Sequence, residues 1–140
     1  MREVAASLGL PDVESVQARA EELARRPRYR ERFDLAVARG VSSLSPLAEY
    51  CLPFVRLGGS FVAMKGPKVA QEIEAGARAV TILGGGELET CRLELPFGAG
   101  TRVLVSARKR KSTPAQYPRR PGVPERRPLG EAEADRKSPG

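Results

Sequence analysis

Two apolar runs of strand length, Phe33–Ala38 and Ser60–Met64, flank a segment whose apolar residues recur at helical spacing. Leu44, Leu47, Ala48, Cys51, Leu52 and Val55 fall at i, i+3, i+4, i+7, i+8 and i+11, which is one stripe of an amphipathic helix. Pro46 suits its first turn and Gly58-Gly59 its end, while Pro53 predicts a kink or an early stop. A second amphipathic helix is expected over Lys68–Leu83, closed by Gly84-Gly85-Gly86, which reads as a turn and not a phosphate loop because it follows a helix. Leu88–Leu95 alternates weakly and Thr101–Ala107 reads as a strand, with Pro96–Gly100 as the hairpin loop between them. Strands alternating with helices and closed by a hairpin predict an α/β sheet, parallel except for one antiparallel strand near its edge.

Upstream the signals are weaker. Val4, Leu8 and Leu10 form a roughly helical stripe stopped by Gly9 and Pro11, and Val13–Ala18 is a short candidate strand. Glu21–Arg32 is strongly charged and broken by Pro27, as in a surface helix or loop. The chain carries no internal repeat.

Charge divides the 140 residues unevenly. Residues 1–107 hold 14 Lys+Arg against 13 Asp+Glu, whereas residues 108–140 hold 10 against 4, so nearly all of the net +7 lies in the last quarter. That quarter also has six Pro, which argues against helix and for extended backbone. Two units are therefore expected: a nearly neutral body, 1–107, and a basic Pro-rich tail, 108–140, disordered after about residue 129. Arg108, Lys109, Arg110, Lys111, Arg119 and Arg120, with the single aromatic Tyr117, suit a nucleic-acid backbone and an unstacked base. A charged, solvated terminus without a partner is the alternative.

Several chemistries are excluded. The sequence has no His, which removes Ser-His-Asp triads and His-containing metal sites. Cys51 and Cys91 stand forty residues apart without a CxxC, so neither a metal site nor a disulfide is expected, and the compartment reads as cytoplasmic. No stretch reaches the roughly 18 apolar residues of a membrane span, and the N-terminus lacks a signal peptide's apolar core.

Arg39 and Lys65 each end a predicted strand, where open α/β sheets bind ligands. Either can instead pair with a carboxylate, but two cations on adjacent strands point to one shared anionic or electron-rich ligand. Glu21 and Glu22, after the first candidate strand, suit an amine or hydroxyl donor, or simply a helix N-terminus.

In order along the chain, Gln17-Ala18-Arg19-Ala20-Glu21-Glu22, Phe33–Arg39, Leu57–Pro67, and Thr113-Pro114 through Tyr117-Pro118-Arg119-Arg120-Pro121-Gly122 to Leu129 resemble the C-terminal half of the RsmG/GidB family, the bacterial 16S rRNA guanine-N7 methyltransferases. The resemblance implies part of a Rossmann-like class I methyltransferase sheet with S-adenosylmethionine as cofactor. It implies cofactor contacts at Ala20, Glu21 and Arg39, and 16S rRNA or the small ribosomal subunit as partner. Gly40 stands where the family usually has Ala. The family's Gly-rich first turn and the acid ending its second strand have no counterpart here, so a truncated family member is expected, inactive alone. A non-catalytic RNA-binding fragment is the alternative. The missing strands would leave Val13–Ala18 unpaired and Phe33–Ala38 as an apolar edge open to self-association. No catalytic residue is assigned.

Overall fold

The computed structural model describes residues 2–40 and 42–132. Phe33–Arg39 (β1), Val55–Lys65 (β2), Glu89–Glu94 (β3) and Thr101–Arg108 (β4) form one sheet in the order β1-β2-β4-β3. β1 and β2 are parallel, while β4 runs against both of its neighbours, β2 and β3. Three strands thus share one direction, and the single opposed strand lies next to the edge, as the sequence predicts. The α/β methyltransferase-like arrangement is consistent with this sheet.

The crossover from β1 to β2 carries helix α3 (Leu44–Cys51), and α4 (Ile73–Ile82) joins β2 to the hairpin. Pro53 does stop the first helix early: a 3₁₀ turn, Leu52–Phe54, follows Cys51, and β2 begins at Val55 instead of Ser60. The second helix also starts late, after a 3₁₀ turn over Val69–Glu72. Leu44, Leu52, Val80 and Leu83 pack on Phe61, Ala63, Val103 and Val105 and form the core on one face of the sheet. The two helices approach closely because Gly76 has no side chain; a Cβ there would sit 2.4 Å from a Leu44 methyl.

The opposite face is bare. Register and the two-residue alternation of strands place Leu35, Val37 and Arg39 beside Val62 and Met64, then Leu104 and Arg102, then Cys91 and Leu93. Leu35 and Val37 are more than half exposed, and no helix among the described residues covers this face.

Short helices at Arg2–Ser7 (α1) and Ala20–Leu23 (α2) precede the sheet, and α1 buries nothing. Val13–Ala18 is not a strand. A ladder needs a neighbouring strand, and this segment has only a local turn bond, Val13 amide to Leu10 carbonyl at 3.4 Å, and side-chain contacts: Glu14 accepts from Tyr29 Oη at 2.8 Å and pairs with Arg28 at 3.2 Å.

The tail departs from the expected extended strip. It folds back across the helix-covered side, held by cations of the body. Arg30 donates to the carbonyls of Tyr117 (2.8 Å), Thr113 (3.0 Å) and Pro114 (3.2 Å), and Arg25 to those of Gln116 and Pro118. Gly84, at φ +97°, lets the tail start closely over the helix end, and its carbonyl accepts from the amides of Arg110 and Lys111. A four-residue helix α5 (Val123–Arg126) forms despite the prolines, because Pro124 occupies the first turn, where no amide donor is needed. The expected terminal disorder falls largely on residues 133–140, outside the described residues.

Candidate functional site

Where β1 and β2 end side by side, a cavity of about 450 Å³ opens between Arg39, Gly40, Met64, Lys65, Gly66, Leu95 and Arg102. Arg39 is the last residue of β1 and is paired in register with Met64. It is exposed, and no carboxylate among the described residues pairs with it. Lys65 is the last residue of β2 and is buried. Its ammonium donates to the Ser42 carbonyl at 2.7 Å and lies 3.1 Å from Glu72. Glu72 in turn accepts from the Leu44 amide at 2.7 Å. Lys65 therefore ties the end of β2 to the start of both helices, and Glu72 balances its charge.

Arg102 is the residue the sequence reading passed over. It is the second residue of β4, and because β4 is antiparallel to β2, the start of β4 lies beside the end of β2. The expected hairpin carried that signal: a cation early in the returning strand joins cations late in the strand it pairs with. Three cations and no carboxylate line the cavity, and with Lys65 paired to Glu72 behind it the unbalanced charges are Arg39 and Arg102. Such a site attracts an anion.

A second, open cavity of about 400 Å³ is bounded by Ala18, Arg19, Ala20, Glu21, Tyr50 and Glu125. Glu21 is 3 % exposed, accepts from Arg19 at 3.2 Å and from the Gly122 amide at 3.4 Å. Tyr50 donates to Glu125 at 3.2 Å, and burial together with the Glu125 charge pushes its phenol up to about 12, so it stays a donor. Tyr50 and Glu125 had no signal in the sequence, since only the return of the tail sets α5 beside α3. Ala20 and Glu21 thus share a cavity; Arg39 stands in the other, and the two have no lining residue in common.

The tail cations divide into two groups. Lys109 is buried, donating to the carbonyls of Leu52 (2.7 Å) and Val55 (3.1 Å), with Glu31 at 3.3 Å. Burial lowers its pKa from the ordinary Lys value, and Glu31 opposes that shift. Arg119, expected on an RNA-facing strip, forks onto the fully buried Glu49, Nε to Oε1 at 3.0 Å and Nη2 to Oε2 at 2.7 Å. The buried carboxylate is what draws it inward, because an unpaired charge there is costly. Tyr117 packs half-buried against the core. Arg108, Arg110, Lys111 and Arg120 remain exposed, the first two around a third cavity shared with Glu87 and Glu89. Both cysteines are free thiols; burial pushes Cys51 up to about 12, and Cys91 is exposed on β3. Among the described residues no cluster of His, Cys, Asp and Glu is arranged to hold a metal, and no helix is long and apolar enough to cross a membrane.

Comparison with known proteins adds to this geometry. A family model described as rRNA small subunit methyltransferase G matches residues 1–96. A protein of Moorella thermoacetica named Ribosomal RNA small subunit methyltransferase G is 49% identical over 129 residues, covering 92% of this chain and 54% of the relative. One of the same name from Symbiobacterium thermophilum is 55% identical over 114 residues, 81% of this chain and 46% of the relative. Another, from Alkaliphilus metalliredigens, is 46% identical over 129 residues, again 92% and 54%. The chain spans about half the length of the curated relatives it matches.

Proposed function

The chain belongs to the rRNA small subunit methyltransferase G family, and from that premise we propose that it takes part in S-adenosylmethionine-dependent methylation of guanine N7 in 16S rRNA. The observation that carries the reading is the three-cation cavity of Arg39, Lys65 and Arg102 at the carboxyl ends of two parallel strands. A polyanion is drawn there, and Arg108, Arg110, Lys111 and Arg120 add surface charge. Guanine N7 is a lone pair on the major-groove edge, so it reacts without losing a proton first. Positioning then matters more than acid–base groups, and the absence of His is no obstacle.

Residues of the second cavity suit the nucleoside end of such a cofactor. The Glu21 carboxylate can accept from hydroxyls or an amine, Tyr50 offers an O–H donor, and Ala20 leaves room for a ring. When bound, the cofactor supplies an activated methyl group. Ala20, Glu21 and Tyr50 line one side of an open cleft, while Arg39 stands in a separate cavity. Ligand sites of this kind bury most of their ligand, so these residues act as one wall. The opposite wall comes from polypeptide equivalent to the rest of the relatives' length.

The test compares the 140-residue chain alone with the chain joined to the part of the Moorella relative that lies outside the match. Calorimetry is expected to detect S-adenosylmethionine binding only in the joined protein, and only that protein should methylate small ribosomal subunits. Micromolar binding by the chain alone overturns the one-wall reading; a joined protein that binds cofactor yet leaves 16S rRNA unmethylated overturns the substrate. The separation of the two cavities favours a second reading, a non-catalytic RNA-binding fragment. It calls for RNA binding by the chain with no methyl transfer in either form.

A further inference from the structure

The β3–β4 hairpin ends in the turn Pro96-Phe97-Gly98, and Phe97 at its tip is fully exposed. No other large hydrophobic among the described residues is as exposed. Its backbone is left-handed, φ 58° and ψ 31°, a conformation natural to Gly or Asn and unfavourable for a bulky side chain. A benzyl group in water on a strained backbone contributes nothing to the core. Strain held by its surroundings is a reason to look for a role.

The surroundings do hold it. The Leu95 amide donates to the Gly100 carbonyl at 2.8 Å, the Ala99 amide to Pro96 at 3.3 Å, and Thr101 Oγ1 to Glu94 at 2.9 Å. The loop is pinned at its base and the ring projects from it. The loop itself borders the three-cation cavity, for Leu95 and Arg102 on either side of it both line that cavity. Phe97 is two residues from Leu95, so their Cα atoms lie within about 7 Å.

An aromatic ring beside clustered cations is the arrangement by which proteins hold unpaired nucleic acid: bases stack on the ring while phosphates meet the charges. We propose that Phe97 is a stacking platform for an unpaired base of the RNA, with Arg39 and Arg102 receiving the neighbouring phosphate. This deepens the reading of the cavity as an RNA site and rests on it. Charge complementarity selects a polyanion over an apolar pocket of another protein, because the cavity bordering this loop is lined by cations and no acid, and of the polyanions single-stranded RNA is the one that also offers a flat base to stack on the ring.

Three substitutions in the full chain separate the possibilities, read by fluorescence anisotropy with a single-stranded RNA dodecamer carrying 2-aminopurine in place of one base. Phe97→Leu keeps apolar bulk and loses the π-face. Phe97→Gly removes the ring and relieves the backbone, so its thermal midpoint should match or exceed that of the parent. Phe97→Trp keeps the stack. Leu and Gly are expected to weaken binding about 5- to 150-fold without changing the salt slope, and Trp to stay within about twofold. The parent and Trp proteins should quench 2-aminopurine; the Leu and Gly proteins should not. Parent-like binding by Phe97→Leu overturns the stack while leaving the cavity an RNA site. Failure of the parent to bind RNA at all overturns both. Ring-dependent sedimentation with anionic phospholipid vesicles, without ring-dependent RNA binding, assigns the tip to a membrane and overturns the proposal.

Discussion

The two faces of the sheet are built from the same four strands by the same alternation, yet one is a core and the other is bare. Phe61, Ala63 and Val105 point to α3 and α4 and are wholly buried, while their strand neighbours Leu35, Val37, Met64 and Leu93 stand open to solvent. The difference lies in what the chain lays over each side. Both helices and the returning tail lie on the first face, clamped by Glu49–Arg119, Glu31–Lys109 and the Arg30 fork. A parallel pair is normally covered on both faces. The bare face is therefore unpartnered among the described residues, and stability should be distributed very unequally between the two.

Truncations on the two faces test that inequality most directly. Phe61→Ala should lower unfolding free energy by about 3–5 kcal/mol, and Glu49→Ala by a similar ~3–5 kcal/mol because Arg119 loses a buried counter-charge. In protein dilute enough to be monomeric, Leu35→Ala or Val37→Ala should stay within about 0.5 kcal/mol. Urea unfolding curves for the four variants check this; equal losses on both faces would mean that the bare face is already packed in solution.

Alkaline titration sharpens the comparison, because the covered side holds the groups whose protonation is coupled to folding. Cys51 rises from 9.0 to about 12 and Tyr50 from 10.0 to about 12, so each favours the fold fully below its ordinary pKa. That contribution is lost as pH climbs through roughly 9 to 12. Lys109 has the opposite sign: its lowered folded pKa makes stability rise with pH until its ordinary 10.5. Thermal midpoints should fall above pH 9, and Cys51→Ala should delay the fall to about pH 10. A parent and variant with superimposable curves would remove Cys51 from the account.

The bare face should also associate. β1 is an edge strand with Phe33, Leu35 and Val37 exposed, a template for a second copy. Sedimentation is expected to show a dimer that grows with concentration and that Val37→Lys disperses. A strict monomer with a sharp, concentration-independent thermal transition would defeat this expectation.

Legibility followed the same division. The strands, α3, α4 and the one opposed strand are written in local periodicity, and Arg39 and Lys65 were recognisable because each closes a strand. The return of the tail was not, since it rests on single polar pairs far apart in sequence, Glu49 with Arg119 and Arg30 with Tyr117. Such pairs leave no repeating pattern; a Pro-rich basic segment looks the same whether it is solvated or strapped to a body. Val13–Ala18, expected as a strand left unpaired, shows the converse: it is unpaired and forms no strand. Its composition suits a strand, but pairing is a property of two segments, and among the described residues nothing lies alongside it.

The smallest expected effect separates the two groups of tail cations. Arg108, Arg110, Lys111, Arg120, Arg126 and Arg127 are exposed, whereas Arg119 is tied to Glu49 and Lys109 to Glu31. If about five of the exposed ones meet phosphates, log K for single-stranded RNA should fall with log salt at a slope near −3.5. Arg120→Ala should then reduce the slope by about 0.7, weaken all sequences alike and leave the thermal midpoint unchanged. Arg119→Ala should do the reverse at first sight: a clear drop in midpoint, with RNA binding lost only as far as the tail detaches. Adjacent arginines, identical in chemistry, would thus differ in readout because one has a buried carboxylate within reach and the other is exposed, with no ion pair among the described residues. Equal changes in slope for both, with equal midpoints, would show that the Glu49 fork opens when RNA binds.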